Sequence, residues 1–275
     1  MGDIMVHKVE SIIGKIDTGI TDPLEGIINN RRAIIKTLNN IEGNKILINE
    51  FICEILAKKL ELPIPSGGMC IIDEDTKFEN DFTLDKERYG LGHFTYRIDK
   101  VGPLVDSPMI IQKYIMNKED FLKIILFDNL IYNSDRHKGN ILMSTGNKNG
   151  KNNIYIIDHS HVFKLGPMWD KYQLKQMIED KDYMSQQVMD FNENTYKILA
   201  SGIDFSTRYD VLLNEAEKIK NTFSDEYLMD LVSKIPNEWE ADSEEKIMLG
   251  EYLIYRVKHL DKIVDIIYES IKNFN

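Results

Sequence analysis

The sequence predicts an α+β fold, because strand-like and helix-like patterns occupy different parts of the chain. Short apolar runs punctuated by Gly and Pro dominate the N-terminal part. From about residue 209 onward, apolar residues instead recur at the three-and-four spacing of helices. With 275 residues, of which 43 % are apolar, the chain is long enough for one large domain or for two lobes that share a cleft.

The N-terminal region is predicted to form strands around one helix. Two apolar strands, VESIIGKI at 9–16 and RRAIIKTL at 31–38, flank a loop that contains TGITDP. An amphipathic helix is predicted for residues 45–60, where LPIP ends it. The strands MCIID and LGHFTYRI follow, and the second lies in a connection, 74–108, whose mixed composition defines it poorly.

The central region is predicted to be a buried helix that leads directly into a polar loop. Asn117 is a candidate N-cap, and FLKIILFDNLIY is apolar almost all round, which is typical of a helix buried on most of its surface. The loop NSDRHKGN follows, and then ILM and IYIIDHSHVF form a predicted hairpin. Ser224 and Ser243 are candidate N-caps of later helices. These helices are predicted near 209–221, 224–235 and 243–273.

Composition and charge argue against several classes of function. The formal charge of −11 disfavours a sequence-independent grip on nucleic acid phosphates. No window approaches about 18 uncharged apolar residues, and the N-terminus lacks an apolar core of signal-peptide length. Cys53 and Cys70 show neither zinc-site nor disulfide spacing. We therefore expect a cytoplasmic protein with no membrane partner and no direct nucleic-acid partner.

The segment DRHKGN, residues 135–140, is the most informative one for function. Asp158 follows 18 residues later, at the end of an apolar strand. In a phosphoryl-transfer site one carboxylate orients the attacking hydroxyl, while an amide oxygen and a second carboxylate hold Mg²⁺. An Asp and an Asn on one loop, with another Asp leaving the neighbouring hairpin, can converge on such a point. The spacing predicts a site made of Asp135, Asn140 and Asp158.

Two charged residues upstream make this prediction more specific. Lys36 ends the strand AIIK, and Glu50 lies in the early turns of the next helix. A strand Lys paired with a helix Glu anchors the α- and β-phosphates of the nucleotide in protein kinases. Taken singly, each residue is more often a solvated surface charge. Together, and in this order before Asp135 and Asp158, they favour a kinase.

Two runs of the sequence resemble a known family. From Gly19 to Pro65 the chain contains G-I-T-x-P, then A-I-I-K, then N-E-x-x-x-x-x-L-A-x-x-L-x-L-P-I-P. This run resembles the N-terminal lobe of the HipA-like kinase domain family. The later runs F-D-N-L-I-Y-N-S-D-R-H-x-x-N-I-L and I-I-D-H-S-H-V-F are similar to the family's catalytic loop and metal-binding strand end. The resemblance covers about the first 60 % of the chain.

The resemblance implies a role for each of these residues. It implies that Lys36 contacts nucleotide phosphate and that Glu50 positions Lys36. It also implies that Asp135 is the catalytic carboxylate, while Asn140 and Asp158 bind Mg²⁺. The cofactors implied are ATP and Mg²⁺.

The resemblance also implies a fold and a substrate. The fold is bilobal and protein-kinase-like, with a small antiparallel-sheet N-terminal lobe at 1–106, a mainly helical C-terminal lobe at 107–275, and ATP between them. Some family members phosphorylate Ser or Thr in proteins, so we expect a protein acceptor, which includes this chain itself. Thr18 and Thr21 are the candidates for self-modification, which would place negative charge where the ATP phosphates bind.

Three features depart from the protein-kinase pattern. D-R-H replaces H-R-D, and Asp158 is followed by His-Ser; phosphoinositide kinases share both features, so a lipid kinase is one alternative. The third is that no G-x-G-x-x-G covers the phosphates, which leaves Gly19 and Thr21 in the candidate phosphate loop. Arg136 is interpreted as a structural cation beside the acidic residues.

Two further alternatives remain open at the level of sequence. His137, His159 and His161 could join the two aspartates in a transition-metal site of a hydrolase. That site would leave the upstream Lys and Glu without a role, so we interpret His137 and His161 as residues whose hydrogen bonds fix the two loops. A nucleotide-binding pseudokinase is the other alternative, although no expected catalytic residue is missing.

Overall fold

The computed structural model describes residues 5–16, 21–145, 151–203 and 208–274. The strands in these ranges are β1 (Val6–Lys8), β2 (Ser11–Lys15), β3 (Leu24–Ile28), β4 (Arg31–Lys36), β5 (Gly67–Ile72), β6 (Lys77–Phe78), β7 (Gly90–Tyr96), β8 (Val101–Pro103), β9 (Ile141–Ser144) and β10 (Ile154–Ile156). The α-helices are α1 (Lys45–Lys59), α2 (Pro108–Tyr114), α3 (Asp120–Leu130), α4 (Lys171–Glu179), α5 (Gln187–Phe191), α6 (Glu193–Ala200), α7 (Arg208–Thr222), α8 (Asp225–Ser233), α9 (Ser243–Lys258) and α10 (Leu260–Lys272). The predicted α+β composition is confirmed.

Seven strands form one sheet in the spatial order β1-β5-β7-β4-β3-β2-β6. The central strands pair antiparallel, whereas the edge pairs β1–β5 and β2–β6 are parallel. In the centre, β4 and β7 lie side by side, and Lys36 stands opposite His93. A side chain at Gly92 would place its Cβ only 2.5 Å from the carbonyl oxygen of Lys36. Glycine is therefore needed where β7 approaches the strand that carries Lys36.

A second, three-stranded antiparallel sheet has the order β10-β9-β8. The predicted hairpin is its β9–β10 pair, in which Ile156 stands opposite Ile141. Residues 97–100 connect β7 of the large sheet to β8 of the small one. The residues just before β9 and just after β10 consequently lie at the same end of the small sheet.

Two separate apolar clusters are buried. The smaller cluster belongs to the large sheet and includes Ile35 and Phe94. The larger cluster belongs mainly to the helices and includes most of the apolar residues of α1. Because α1 is surrounded in this way, its polar residues Asn49, Glu50 and Glu54 are buried as well. Buried polar groups need hydrogen-bond partners, so each of the three must be bonded inside the protein.

Some predicted elements of the N-terminal and central regions are corrected by the structure. The sequence LEGII, predicted as loop and connection, forms β3, because hydrogen bonds to β2 and β4 on both sides hold it extended. Helix α3 starts at Asp120, and Asn117 does not cap it. The Asn117 side chain instead donates to the Asp120 carboxylate (3.2 Å) and to the carbonyl oxygen of Ile154 (3.1 Å).

The C-terminal helices are also partly different from the prediction. The helix predicted at 243–273 is two helices, α9 and α10, which meet at His259. Ser224 caps α8 as predicted, but Asp242 rather than Ser243 caps α9. Helices α2, α4, α5 and α6 were not predicted. Within the described ranges, no helix combines the length and the apolar character that crossing a membrane requires.

Candidate active site

Three charged residues from three separate elements meet at one point. The last residue of β4, Lys36, donates from Nζ to Oε1 of Glu50 on α1 (2.5 Å) and to Oδ1 of Asp158 just after β10 (2.8 Å). The sequence separations are 14 and 122 residues, so only the folded chain brings them together. The predicted pairing of Lys36 with Glu50 is present, and Asp158 joins it.

Mutual attraction keeps Lys36 and Asp158 charged. Burial by itself would lower the pKa of Lys36, but the charges of Asp158 and Glu50 outweigh burial and raise this pKa above its ordinary value of 10.5. Burial would likewise raise the pKa of Asp158, but Lys36 and the Ser160 hydroxyl hold it far below 3.8. At neutral pH the point where these residues meet therefore holds a cation beside an anion.

The backbone at Asp158 has an unusual conformation. Its φ of 58° lies in the left-handed region, which non-glycine residues seldom adopt. The Ser160 hydroxyl donates to Oδ1 of Asp158 (2.5 Å), and the amide of Ile157 donates to the carbonyl oxygen of Asn140 (3.1 Å). These contacts hold the sharp turn that directs the carboxylate away from the strand. Non-glycine residues in such conformations cluster at functional sites.

The predicted catalytic loop places Asp135 and Asn140 together. The amide of Asp135 donates to Oδ1 of Asn133 (3.0 Å), which fixes the start of the loop. The side chain of Asn140 donates from Nδ2 to the carbonyl oxygen of Asp135 (2.8 Å) and approaches its carboxylate at 3.4 Å. Asn140 directly precedes β9, and Asp158 lies two residues after β10. Because these strands pair antiparallel, Asn140 and Asp158 lie at the same end of the small sheet.

A buried ion pair behind the loop was only half recognised from the sequence. Arg136 is fully buried and uses all five of its N–H donors. They bond the Asp128 carboxylate, the carbonyl oxygens of Asn140 and Ile157, and Nε2 of His159. Arg136 is therefore the predicted structural cation, and it holds the backbone on both sides of the hairpin.

Asp128, the partner of Arg136, was missed. It lies on α3 and is 0 % exposed. Its two oxygens also accept from Asn133 Nδ2 (2.9 Å) and from the Tyr196 hydroxyl (3.2 Å). The signal in the sequence was a carboxylate late in FLKIILFDNLIY, a run that is apolar almost all round, because a buried carboxylate requires a cationic partner.

The three histidines make separate contacts rather than a metal site. His159 is buried; burial, reinforced by the charge of Arg136, holds its pKa well below 6.5. His137 accepts at Nδ1 from the amide of Gly139 (3.0 Å), and His161 lies 3.2 Å from the Glu42 carboxylate. Among the residues that the structure describes, no group of three or more His, Cys, Asp or Glu side chains can hold a metal ion. The transition-metal hydrolase alternative therefore finds no support.

A cavity of about 350 Å³ opens beside these residues. Lys36, Glu50 and Asp158 line one part of it, and the connection 97–100 lines another. Thr21 also lines it, and the carbonyl oxygen of Thr21 accepts from the Asn40 side chain. Gly19 and Thr18 lie outside the described residues. The cavity thus runs between the large sheet, α1 and the small sheet.

A family model described as HipA-like kinase matches residues 9–265. The chain belongs to the HipA-like kinase family. The family match extends over the described elements from β2 to the middle of α10, and therefore over the C-terminal helices that showed no sequence resemblance. A search of curated proteins found no match.

Two solved kinases are similar in fold to this HipA-like kinase. The Helicobacter pylori proinflammatory kinase CtkA is 14 % identical, with a TM-score of 0.53 over 91 % of this chain and 94 % of that one. The Golgi casein kinase is 11 % identical, with a TM-score of 0.51 over 98 % of this chain and 73 % of that one. At such low identity the likeness establishes the protein-kinase-like fold alone.

Proposed function

We propose that this HipA-like kinase transfers the γ-phosphoryl group of ATP, with Mg²⁺, to a hydroxyl group of a protein Ser or Thr. The observation that carries the proposal is the position of Lys36, which bonds both Glu50 and Asp158 at the wall of the cavity. A cation held by one carboxylate and placed beside a second one is the arrangement that phosphoryl transfer requires for gripping nucleotide phosphates and metal.

The residues present suit Mg²⁺, which prefers oxygen ligands. All the hydrogen bonds described for the Asp158 side chain fall on Oδ1, and those described for the Asn140 side chain use Nδ2. Asp158 Oδ2 and Asn140 Oδ1 are thus left as possible metal ligands at the same end of the small sheet. Asp158 and Asn140 would hold Mg²⁺ there, and the charge of the bound metal would offset that of the nucleotide phosphates.

The other residues then take distinct roles in the transfer. Lys36 holds the α- and β-phosphates, and Glu50 holds Lys36. Asp135 orients the acceptor hydroxyl and takes its proton as the oxygen attacks the γ-phosphorus. The bond from the γ-phosphorus to the bridging oxygen breaks, and ADP leaves with that oxygen.

The cavity suggests how the nucleotide lies. We place the base beside the connection 97–100 and the phosphates towards Lys36 and Thr21. In this arrangement residues 97–100 separate two lobes, a few residues before the predicted division at 106. Support comes from the lining of the cavity, which includes 97–100, Lys36 and Thr21.

The acceptor is the least constrained part of the proposal. A protein hydroxyl is favoured over an inositol lipid because a charge of −11 repels anionic membrane surfaces. Self-modification is less favoured at Thr21, which is only 2 % exposed. Cys53 and Cys70 are both buried and unpaired, which is consistent with the proposed cytoplasmic location.

Incubation with γ-labelled ATP and Mg²⁺, alone and with cell extract, tests the function, with mass spectrometry of labelled products. We expect labelled Ser or Thr. Efficient labelling of phosphatidylinositol vesicles without any labelled protein would favour the lipid-kinase alternative instead.

The metal site is tested by calorimetry of Mg·ATP binding to Asp158→Ala. We expect binding to be lost, because Asn140 alone cannot hold a cation that requires several oxygen ligands. Gln176→Ala, on the surface of α4, is the control and should bind as wild type does. Unchanged affinity in Asp158→Ala would show that the metal site is elsewhere.

A further inference from the structure

The connecting segment, residues 159–170, links the turn at Asp158 to α4. It is firmly packed, because the side chains of Phe163 and Trp169 are fully buried. Ser160 is the one Ser, Thr or Tyr of the segment, and it is 0 % exposed with its hydroxyl bonded to Asp158, so the segment offers no accessible hydroxyl for phosphorylation. Packing and hydrogen bonds alone must therefore hold the connecting segment in place.

Asn49 on α1 supplies three of those hydrogen bonds. Its Nδ2 donates to the carbonyl oxygens of Ser160 (2.6 Å), near the start of the connecting segment, and Gly166 (3.2 Å), in its second half. Its Oδ1 accepts from the indole Nε1 of Trp169 (2.9 Å). Asn49 is 0 % exposed, so no water could replace these partners without a structural change.

The next residue of α1 reaches the same segment. Besides accepting from Lys36, Glu50 Oε1 accepts from the backbone amide of His159 (3.1 Å). Two consecutive residues of α1 thus hold the connecting segment, which begins directly after Asp158. A shift of the segment would pull on Glu50 and on Asp158 together.

We propose that Asn49 is a positioning residue, which keeps Glu50 bonded to Lys36 and keeps Asp158 beside them. The three hydrogen bonds of Asn49 join α1 and the connecting segment into one unit, so that the site is held assembled without a phosphorylated loop. The inference rests on the proposed kinase function, since positioning matters only if this site performs the transfer.

Two variants weaken this link to different degrees. Asn49→Leu has a similar volume but removes both donors and the acceptor. Trp169→Phe removes only the donor to Asn49 Oδ1 and keeps an aromatic ring in the core. Asn49→Leu leaves three buried polar groups without partners, whereas Trp169→Phe leaves one, so the second variant is the safer test if the first does not fold.

Trp239→Phe is a matched control. Trp239 is also fully buried and also packs against α1, where its ring meets Phe51 edge to face. Its Nε1 donates to the carbonyl oxygen of Leu91 (2.9 Å), on β7 and not on the connecting segment. The two Trp→Phe variants therefore each lose one indole hydrogen bond beside α1, but only Trp169→Phe loosens the tie to Asn49.

Activity measurements distinguish a positioning role of Asn49 from a contribution to stability alone. For Asn49→Leu we expect kcat/KM for Mg·ATP to fall about 100-fold, the effect of a small misplacement of catalytic groups. Trp169→Phe should show a smaller fall in kcat/KM. Trp239→Phe should retain wild-type activity, although its loss of thermal stability should be similar to that of Trp169→Phe. In a Glu50→Gln background, Asn49→Leu should cause less than its roughly 100-fold loss, because part of its effect acts through Glu50 and the rest through Asp158.

Fluorescence gives a readout that does not depend on turnover. The chain has two tryptophans, so Trp239→Phe leaves Trp169 as the sole indole. Adding Asn49→Leu to this variant should shift the emission to longer wavelength, because the connecting segment loosens and water reaches the indole. An unshifted spectrum would show that Asn49 does not hold the segment.

The failures of the two proposals are distinguishable. A folded wild-type protein that transfers no phosphate would contradict the proposed function. An active wild type whose Asn49→Leu and Trp169→Phe variants are equally active would overturn the role of Asn49 alone. Fully additive losses with Glu50→Gln would also overturn it, since they would indicate a merely structural contribution.

Discussion

Two buried ion-pair groups lie on either side of His159 and differ in how completely they are bonded. In the cleft group, Lys36 bonds Glu50 and Asp158, and the Asp158 side chain remains 31 % exposed at the cavity. In the rear pair, Arg136 and Asp128 are both 0 % exposed.

The difference in exposure indicates different tasks. In the proposed function Lys36 and Asp158 exchange partners for phosphate and metal, which the cavity permits because they can be solvated while they do so. Arg136 and Asp128 cannot exchange partners without leaving a charge in an apolar interior. The same charge chemistry is thus available for ligand binding in the cleft and serves only to fix the loops behind it.

The largest effect is expected at the rear pair. Asp128→Ala should lower the free energy of unfolding by about 3–5 kcal/mol, because it leaves the buried guanidinium of Arg136 without its counter-charge. Chemical denaturation monitored by circular dichroism measures this. Asp128→Asn retains the shape and should lose less. If Asp128→Ala were as stable as wild type, the contrast between the two groups would be wrong.

The next effect concerns activity in the cleft. Lys36→Met should lower turnover by about 10²–10³-fold, the loss seen when one charge-stabilising donor is removed. Its unfolding free energy should change less than that of Asp128→Ala, because both carboxylates that it leaves border the cavity. Steady-state kinetics and denaturation on the same preparations test both statements. Wild-type turnover in Lys36→Met would refute the assigned role of the lysine.

A smaller loss of turnover is expected for Glu50→Gln. Glu50→Gln keeps an oxygen that can accept from Lys36 and from the amide of His159, but it loses the charge. Turnover should fall about tenfold, in line with weakening one charged hydrogen bond. A loss as large as that of Lys36→Met would mean that Glu50 does more than hold the lysine.

The smallest expected effect is a pH dependence of stability that comes from Glu54, another buried carboxylate of α1. Burial by itself would raise the pKa of Glu54, but the hydrogen bond from His93 and the charge of Lys58 leave it below 4.5. Because the folded pKa is lower than the unfolded one, the contribution of Glu54 to stability is fully present above about pH 4.5 and is lost as the pH falls through the folded pKa.

Unfolding free energies of wild type and Glu54→Gln between pH 6 and pH 3 test this dependence. The difference between the two proteins should shrink as the pH falls. A constant difference would show that Glu54 titrates alike in the folded and unfolded chains.

Sequence reasoning was most successful where a motif is local. DRHKGN, the hairpin after it and the strand that ends in Lys36 could be recognised because each depends on neighbouring residues and on apolar periodicity. β3 was missed because its extended form depends on β2 and β4 on either side. The break at His259 was missed because apolar spacing continues through it, while the His259 ring stacks on Tyr183 far away in sequence.

The sequence by itself determined the α+β class and the residue types needed for phosphoryl transfer, since both follow from periodicity and from motifs of a few residues. Only the tertiary structure decided that Lys36 meets Asp158 across 122 residues, that Asp128 neutralises Arg136, and that Asn49 holds the connecting segment. The physical reason is that a buried polar group must find its partner wherever the fold places one, and the distance along the chain does not limit that choice.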